Sequence, residues 1–79
     1  MLEELNIKDK VDIGKIKCRI STVKLPSGQF ETMVFKSSSW QDLYCEYNTE
    51  RYKAIRRHHE LLLLMENGIK FWGAEKPCQ

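Results

Sequence analysis

Residues 15–36, KIKCRISTVKLPSGQFETMVFK, hold two strand-like segments on either side of a short turn. In residues 15–25, apolar or β-branched side chains alternate with charged ones, which is the period of a half-buried β-strand. The turn at 26–28, PSG, combines a proline that presets φ near −65° with a glycine that tolerates positive φ. The stretch therefore predicts a β-hairpin with a loop of about 3–5 residues.

The returning segment, residues 29–36, carries apolar side chains on both faces. Phe30 and Val34 lie on one face, and Met33 and Phe35 lie on the other. A strand with one solvated side would alternate more cleanly between apolar and polar residues. We therefore expect this strand either to be central and covered on both faces or to leave Met33 and Phe35 exposed.

Two further elements follow the hairpin. Alternation over residues 41–47, in which Leu43, Cys45 and Tyr47 face away from Tyr44, predicts a third strand. Residues 49–67 are predicted to form a helix, with Asn48 or Thr49 as its N-terminal cap. Apolar residues and one histidine recur along it at helical spacing and predict a stripe that lies on the sheet: Ala54, Ile55, His58, Leu61, Leu62 and Met65.

The ends of the chain show weaker patterns. Residues 1–13 fit neither period and are expected to form a lead-in arm. Gly68 follows the helix as the residue of a Schellman cap, and residues 69–72 are expected to form either a short fourth strand or an apolar strap. Residues 74–79 are expected to form a loose tail.

These patterns predict one α+β domain over residues 1–79, with the meander at 15–47. It is a three-stranded antiparallel β-meander, or a four-stranded one if residues 69–72 form a strand, with one C-terminal α-helix packed on one face. The longest apolar run, 61–65, is far too short to span a membrane, and residues 1–15 lack a signal core.

Composition excludes several classes of protein. Thirteen basic and eleven acidic residues give a net charge of +2, which is too small to indicate nucleic-acid binding by itself. Three widely spaced cysteines, without a CxxC pair, favour a reduced cytoplasmic protein over a secreted disulfide scaffold or a zinc knuckle. No phosphate-binding loop, paired-carboxylate site or nucleophile elbow is present, so we expect no enzyme and no cofactor.

Several short motifs occur in order along residues 16–62: ISTV at 20–23, FETMVF at 30–35, Tyr47-Asn48-Thr49, and Ala54 four residues before His58. Together they resemble a family of small uncharacterised proteins of bacteriophage, prophage, actinobacterial and firmicute genomes. The chain departs from that family in the spacing between Thr49 and Ala54 and in having Arg57 where glycine is common. The resemblance implies a phage-type accessory protein and no particular chemistry.

The surplus apolar residues are the first candidate site. Met33, Phe35, Trp40 and Tyr44 exceed what one helix on one sheet face would bury. An exposed patch of methionine and aromatic residues is typical of a binding or dimer surface. The alternative, with equal weight, is that the N-terminal arm or residues 69–72 fold over this patch.

A basic surface is the second candidate. Lys15, Lys17 and Arg19 share one strand face, and Arg56 and Arg57 lie on the helix, where they could contact phosphates or nucleic acid. A meander followed by a helix is also similar in shape to the DNA-binding domains of phage integrases and plant ethylene-response factors, which read DNA through the sheet. From the sequence we favour instead an ordinary solvated surface, on which nearby carboxylates balance these cations.

His58 and His59 could pair with Cys18 or Cys45 in a catalytic dyad or a metal site. No third group is apparent in the sequence to orient the histidine. We therefore favour a structural role, with His58 hydrogen-bonded between helix and sheet and the cysteines as small buried apolar residues.

The functional hypothesis is a small non-catalytic phage-type protein that binds and blocks a host protein, such as a defence or transcription component, in the host cytoplasm. One alternative is a domain that reads DNA through its sheet. Another is an oligomeric sponge that holds a nucleotide signal between subunits. A homo-oligomer would cover the surplus apolar face with a second copy of the chain, and it would favour the sponge or a structural role.

Overall fold

The computed structural model describes residues 5–39 and 41–72. They form four strands and one helix: β1 (Asn6–Ile13), β2 (Ile16–Lys24), β3 (Phe30–Lys36), β4 (Asp42–Asn48) and α1 (Arg51–Glu66). The strands make one antiparallel sheet in the order β1-β2-β3-β4. The predicted α+β meander with one C-terminal helix on one face is therefore confirmed, in its four-stranded form.

The fourth strand lies at the N-terminal end of the sheet, so the expectation of a lead-in arm over residues 1–13 is wrong for the described part of that segment. β1 pairs with β2 along its whole length, from Asn6 opposite Val23 to Ile13 opposite Ile16. A two-residue turn joins the strands, and its first residue, Gly14, has a φ of 62°, as such hairpin turns require.

The core lies between α1 and one face of the sheet. The buried stripe of the helix consists of Ala54, His58, Leu61 and Met65, as its spacing predicts. It packs on side chains of all four strands, including Val11, Cys18, Ile20, Val34 and Leu43. Ala54 packs in a smaller second cluster with Leu5 and Phe30.

The two ends of α1 differ in how well they were predicted. The residue that caps the N-terminus is Glu50, without a side-chain hydrogen bond, so the prediction of a cap at Asn48 or Thr49 is wrong. The C-terminus ends in the predicted Schellman motif. Gly68, at a φ of 77°, donates its N–H to Met65, and Ile69 donates its N–H to Leu64, both at 2.9 Å.

A β-bulge in β4 decides which side chains reach the core. Phe35 lies opposite Asp42, whereas Val34 lies opposite Tyr44, so Leu43 is an extra residue on its strand. Leu43 is buried in the core, and Tyr44 packs against the same cluster. Two consecutive residues of β4 therefore face α1, which simple alternation does not predict.

Residues 69–72 form no strand. Phe71 and Trp72 pack against the main core, and the ring of Phe71 meets the ring of Tyr44 edge to face at 5.0 Å. This segment is therefore the predicted apolar strap and not a fourth strand. The expected loose tail at 74–79 lies outside the described residues.

Candidate binding surface

The sheet face opposite α1 carries the side chains that the core does not use. Cross-strand partners point to the same side of a sheet, so the register places these side chains in rows across all four strands. We call this surface the outer face: Asn6, Lys8, Lys10, Asp12, Lys17, Arg19, Ser21, Val23, Glu31, Met33, Phe35, Asp42, Cys45 and Tyr47.

The apolar part of the outer face centres on β3. Met33 lies between Ser21 and Cys45, and Phe35 lies in the next row beside Arg19. Both apolar side chains are only partly buried, and the Tyr47 side chain on β4 is 46% exposed. Among residues 5–39 and 41–72 the one helix lies on the opposite side, so no described helix covers this patch.

The four residues predicted to form one partner-binding patch do not all lie together. Met33 and Phe35 share the outer face as expected. Tyr44 lies on the helix side, opposite the buried Val34, so its predicted position beside Met33 is wrong. The bulge at Leu43 is the physical reason, and Trp40 lies outside the described residues.

Tyr44 belongs instead to a polar cluster at the edge of the core. Its hydroxyl donates a hydrogen bond to Glu46 Oε1 at 2.7 Å, and Arg57 Nε donates to the same oxygen at 2.9 Å. Burial, followed by the hydrogen bond to Glu46, raises the pKa of Tyr44. The hydrogen bond to Glu46 raises the pKa of Arg57 above its usual value. The cluster joins β4 to α1.

The basic part of the outer face is larger than the sequence predicts. Lys17 and Arg19 lie there as expected, and β1 adds Lys8 and Lys10 beside them. These two lysines were missed because residues 1–13 were not recognised as a strand. Their alternation with Ile7, Val11 and Ile13 is the signal that was available, and Asp9 at an inward position obscures it.

Two depressions adjoin the β1–β2 turn. One, of about 490 Å³, is lined by Lys10, Val11, Asp12, Lys17, Cys18, Arg19 and Ser37. The other, of about 310 Å³, is lined by Lys15, Ile16, Lys17, Lys36 and Ser38. Among the charged residues that line each depression, cations outnumber carboxylates, and Lys17 lines both depressions.

Arg56 and Arg57, predicted to act with the strand cations, lie on α1 and therefore on the helix side of the sheet. Arg57 pairs with Glu46 at 2.9 Å and with Glu60 at 3.5 Å, and Arg56 lies 4.0 Å from Glu60. The structure thus divides the predicted phosphate-binding residues between two sides of the molecule. The helix arginines have carboxylate partners, as the solvated-surface interpretation expects.

His58 forms part of a buried polar chain that links four elements. Its Nε2 lies 2.8 Å from Asp9 Oδ2 on β1, and its Nδ1 lies 2.7 Å from Thr22 Oγ1 on β2. Thr22 Oγ1 lies 2.7 Å from Thr32 Oγ1 on β3. His58, Thr22 and Thr32 are fully buried, whereas the Asp9 side chain is 39% exposed. The buried chain is consistent with a structural role for His58 between helix and sheet.

The order hydroxyl, imidazole, carboxylate is also that of a hydrolytic triad. Here the hydroxyl of Thr22 has no exposed surface, and its oxygen is already hydrogen-bonded to Thr32. A nucleophile must reach its substrate, so this arrangement stabilises the fold in the conformation observed and offers no reactive group at the surface.

The cysteines do not join His58 in a dyad. Cys18 is a free thiol buried in the core, where desolvation and then the charge of Asp12 raise the pKa of its thiol. Cys45 is disulfide-bonded and only partly buried. Its predicted role as a small buried apolar residue is therefore wrong, whereas that of Cys18 holds. The expectation that the protein is fully reduced is also wrong for Cys45.

Within residues 5–39 and 41–72, no three His, Cys, Asp or Glu side chains are placed to hold a metal ion. No helix in that part of the chain is long and apolar enough to cross a membrane. The chain matches no protein-family model, no curated protein and no solved structure.

Proposed function

We propose that this chain is a small non-catalytic binding protein of phage type, which docks its outer face on a host protein and blocks it. The observation that carries the proposal is the partly exposed apolar group on β3, Met33 with Phe35, on the side of the sheet away from α1. A sheet with one face under a helix needs no large apolar side chains on its other face.

The chemistry of the outer face favours a protein over DNA as the partner. Asp12, Glu31 and Asp42 lie on the same face as the cations, and a DNA backbone would approach all three carboxylates. The helix arginines that could have extended a phosphate-binding surface lie on the other side. A protein partner can match both signs of charge, because its own surface carries both.

The arrangement also defines the surface that this partner would present. Met33 and Phe35 supply the kind of apolar contact that dominates small interfaces. Lys8, Lys10 and Arg19 border them on the β1–β2 side. We therefore expect the partner to offer an apolar patch with carboxylates along one edge. A defence or transcription protein of the bacterial host would fit this description, and blocking it by occlusion requires no catalytic group.

The test compares substitutions on the two sides of the molecule. Met33→Glu with Phe35→Glu places charges in the proposed interface, and Leu63→Glu makes the same type of change at a helix residue that is 59% exposed. Each protein is immobilised and exposed to host lysate, and the captured protein is then purified and recombined with each variant. We expect wild type and Leu63→Glu to bind it and inhibit it, and the double variant to lose at least tenfold in affinity, about 1.4 kcal/mol.

Two outcomes would contradict the proposal. One is a folded double variant that binds the purified partner as tightly as wild type does. The other is a wild-type dimer, measured by light scattering, that becomes monomeric in the double variant, because the outer face would then be occupied by a second copy. A duplex-DNA shift assay under the same conditions tests the DNA alternative.

A further inference from the structure

The larger depression lies where the outer face meets the β1–β2 turn. The Ser37 N–H donates a hydrogen bond to the Lys17 carbonyl at 2.9 Å, which continues the β2–β3 pairing beyond Lys36. Asp12 lies opposite Lys17 on the other side of β2. The depression of about 490 Å³ therefore has Asp12, Lys17 and Ser37 in one row and Lys10 and Arg19 in the next.

Positive charge is concentrated at this end of the sheet. The two depressions together are lined by five cations, Lys10, Lys15, Lys17, Arg19 and Lys36, and by one carboxylate, Asp12. Five positive charges and one negative charge give a formal charge of +4, whereas the whole chain carries +2. The rest of the protein is therefore net negative, and an anion is attracted to one end of the molecule.

One cross-strand pair that lines the larger depression brings two cations together. Lys10 and Arg19 lie directly opposite each other on neighbouring strands. Like charges at such positions destabilise a sheet, whereas the next pair, Asp12 opposite Lys17, has the favourable combination. An anion bound between Lys10 and Arg19 would be attracted by both side chains.

We propose that the larger depression binds a small phosphorylated ligand with more than one phosphate group, such as a nucleoside diphosphate or triphosphate. Its volume lies within the range of small-molecule sites, about 300–1,000 Å³. A guanidinium binds a phosphate through two parallel hydrogen bonds, and lysines add point charges. The Ser37 hydroxyl is a further donor, and Asp12 can accept a hydrogen bond from a sugar hydroxyl.

This site shares Lys10 and Arg19 with the border of the proposed protein-binding surface, but it does not use Met33 or Phe35, which carry that proposal. The two proposals can therefore fail independently. A Met33→Ser, Phe35→Ser protein, which loses the apolar side chains without placing a carboxylate beside Arg19, is expected to keep its affinity for nucleotides within about threefold.

The experiment is a titration of the ¹⁵N-labelled protein with ATP, and separately with tripolyphosphate, at constant ionic strength. We compare wild type with Lys10→Glu and with Lys8→Glu. Both variants change the charge by the same amount on the same face of β1, but only Lys10 lines the cavity. We expect saturable shifts of the Lys10, Lys17, Arg19 and Ser37 amides in wild type and in Lys8→Glu. We expect at least tenfold weaker binding in Lys10→Glu.

Lys10→Glu also separates binding from stability. It replaces a like-charge pair with an opposite-charge pair, so its melting temperature should equal or exceed that of wild type while it loses the ligand. Equal weakening in Lys8→Glu and Lys10→Glu would overturn the proposal, because binding would then reflect overall charge. Absence of saturable binding to wild type would also overturn it, as would a duplex oligonucleotide that binds more tightly than ATP at equal salt.

Discussion

At the scale of single residues, a chain of hydrogen-bonded polar side chains is buried beside the apolar core. Thr22, Thr32 and His58 have no exposed surface, and each satisfies another's hydrogen-bonding group. A buried polar group costs little when it is paired and much more when its partner is removed. The three residues lie in the sequence motifs ISTV and FETMVF and in the pair Ala54 and His58, so these motifs supply the buried polar groups of the core.

We predict that Thr22→Val destabilises the protein by about 1–3 kcal/mol, because it leaves His58 Nδ1 buried without its hydroxyl partner. His58→Leu should have a similar cost. The double variant should cost less than the sum of the two, because the same interaction is removed in both. The free energy of unfolding in urea measures all three. Thr49→Val, at an exposed threonine, is the control and should change stability by less than about 0.5 kcal/mol. Strict additivity would show that the two residues do not interact.

At the scale of elements, β1 contributes both to the stability of the sheet and to the charge of its outer face. It covers the edge that β2 would otherwise expose, contributes Val11 and Ile13 to the core, and brings Lys8 and Lys10 to the outer face. An uncovered edge strand offers unpaired backbone groups to other chains. β1 is therefore an integral strand of the domain.

Substitutions at neighbouring positions of β1 should differ sharply in effect. Val11→Ser removes a buried side chain from the core and should cost about 2 kcal/mol of the free energy of unfolding. Lys8→Ser changes an exposed side chain on the other face and should cost less than about 0.5 kcal/mol. Denaturant unfolding of both variants measures the difference. If residues 6–13 were only a loosely attached arm, both substitutions would be neutral.

At the scale of the whole molecule, ionisable groups in the core and at its edge limit stability at high pH. The pKa values of Cys18 and Tyr44 are both raised, chiefly by burial. In the unfolded chain these groups ionise at lower pH than in the folded one, near their ordinary values of about 8.5 for cysteine and 10 for tyrosine. Above those values the unfolded state binds fewer protons than the folded state, so the stability falls as pH rises.

We therefore expect the free energy of unfolding to decrease from about pH 8.5 upward. The decrease should be shallower in a Cys18→Ala, Tyr44→Phe protein, which lacks both ionising groups. Tyr52→Phe is the matched control, since the Tyr52 side chain is 60% exposed. Urea unfolding at intervals from pH 7 to 10.5 gives the three profiles. Identical slopes in wild type and the double variant would contradict this explanation.

The sequence by itself was enough to predict the α+β class, the β2–β3 hairpin, the presence of α1 with its buried stripe, and its C-terminal Schellman cap, but not the residue at which α1 begins. Each of these depends on neighbours in the chain: a two-residue period, a turn of proline and glycine, a helical stripe, and a glycine placed after the last turn. Such patterns depend only on residues that are close together in the chain, so they can be recognised in the sequence before the packing is known.

Only the tertiary structure decided the position of the fourth strand, the side of the sheet that Tyr44 occupies and the partners of His58. Asp9 is a charged residue at an inward position of β1, where alternation predicts an apolar one. The structure explains it, because the ring of His58, 49 residues away along the chain, lies 2.8 Å from its carboxylate. The bulge at Leu43 depends on the register with β3, and the cavity between Lys10 and Arg19 depends on the register of β1. These features arise from contacts between distant segments, and periodicity within one segment does not report which distant segment it will meet.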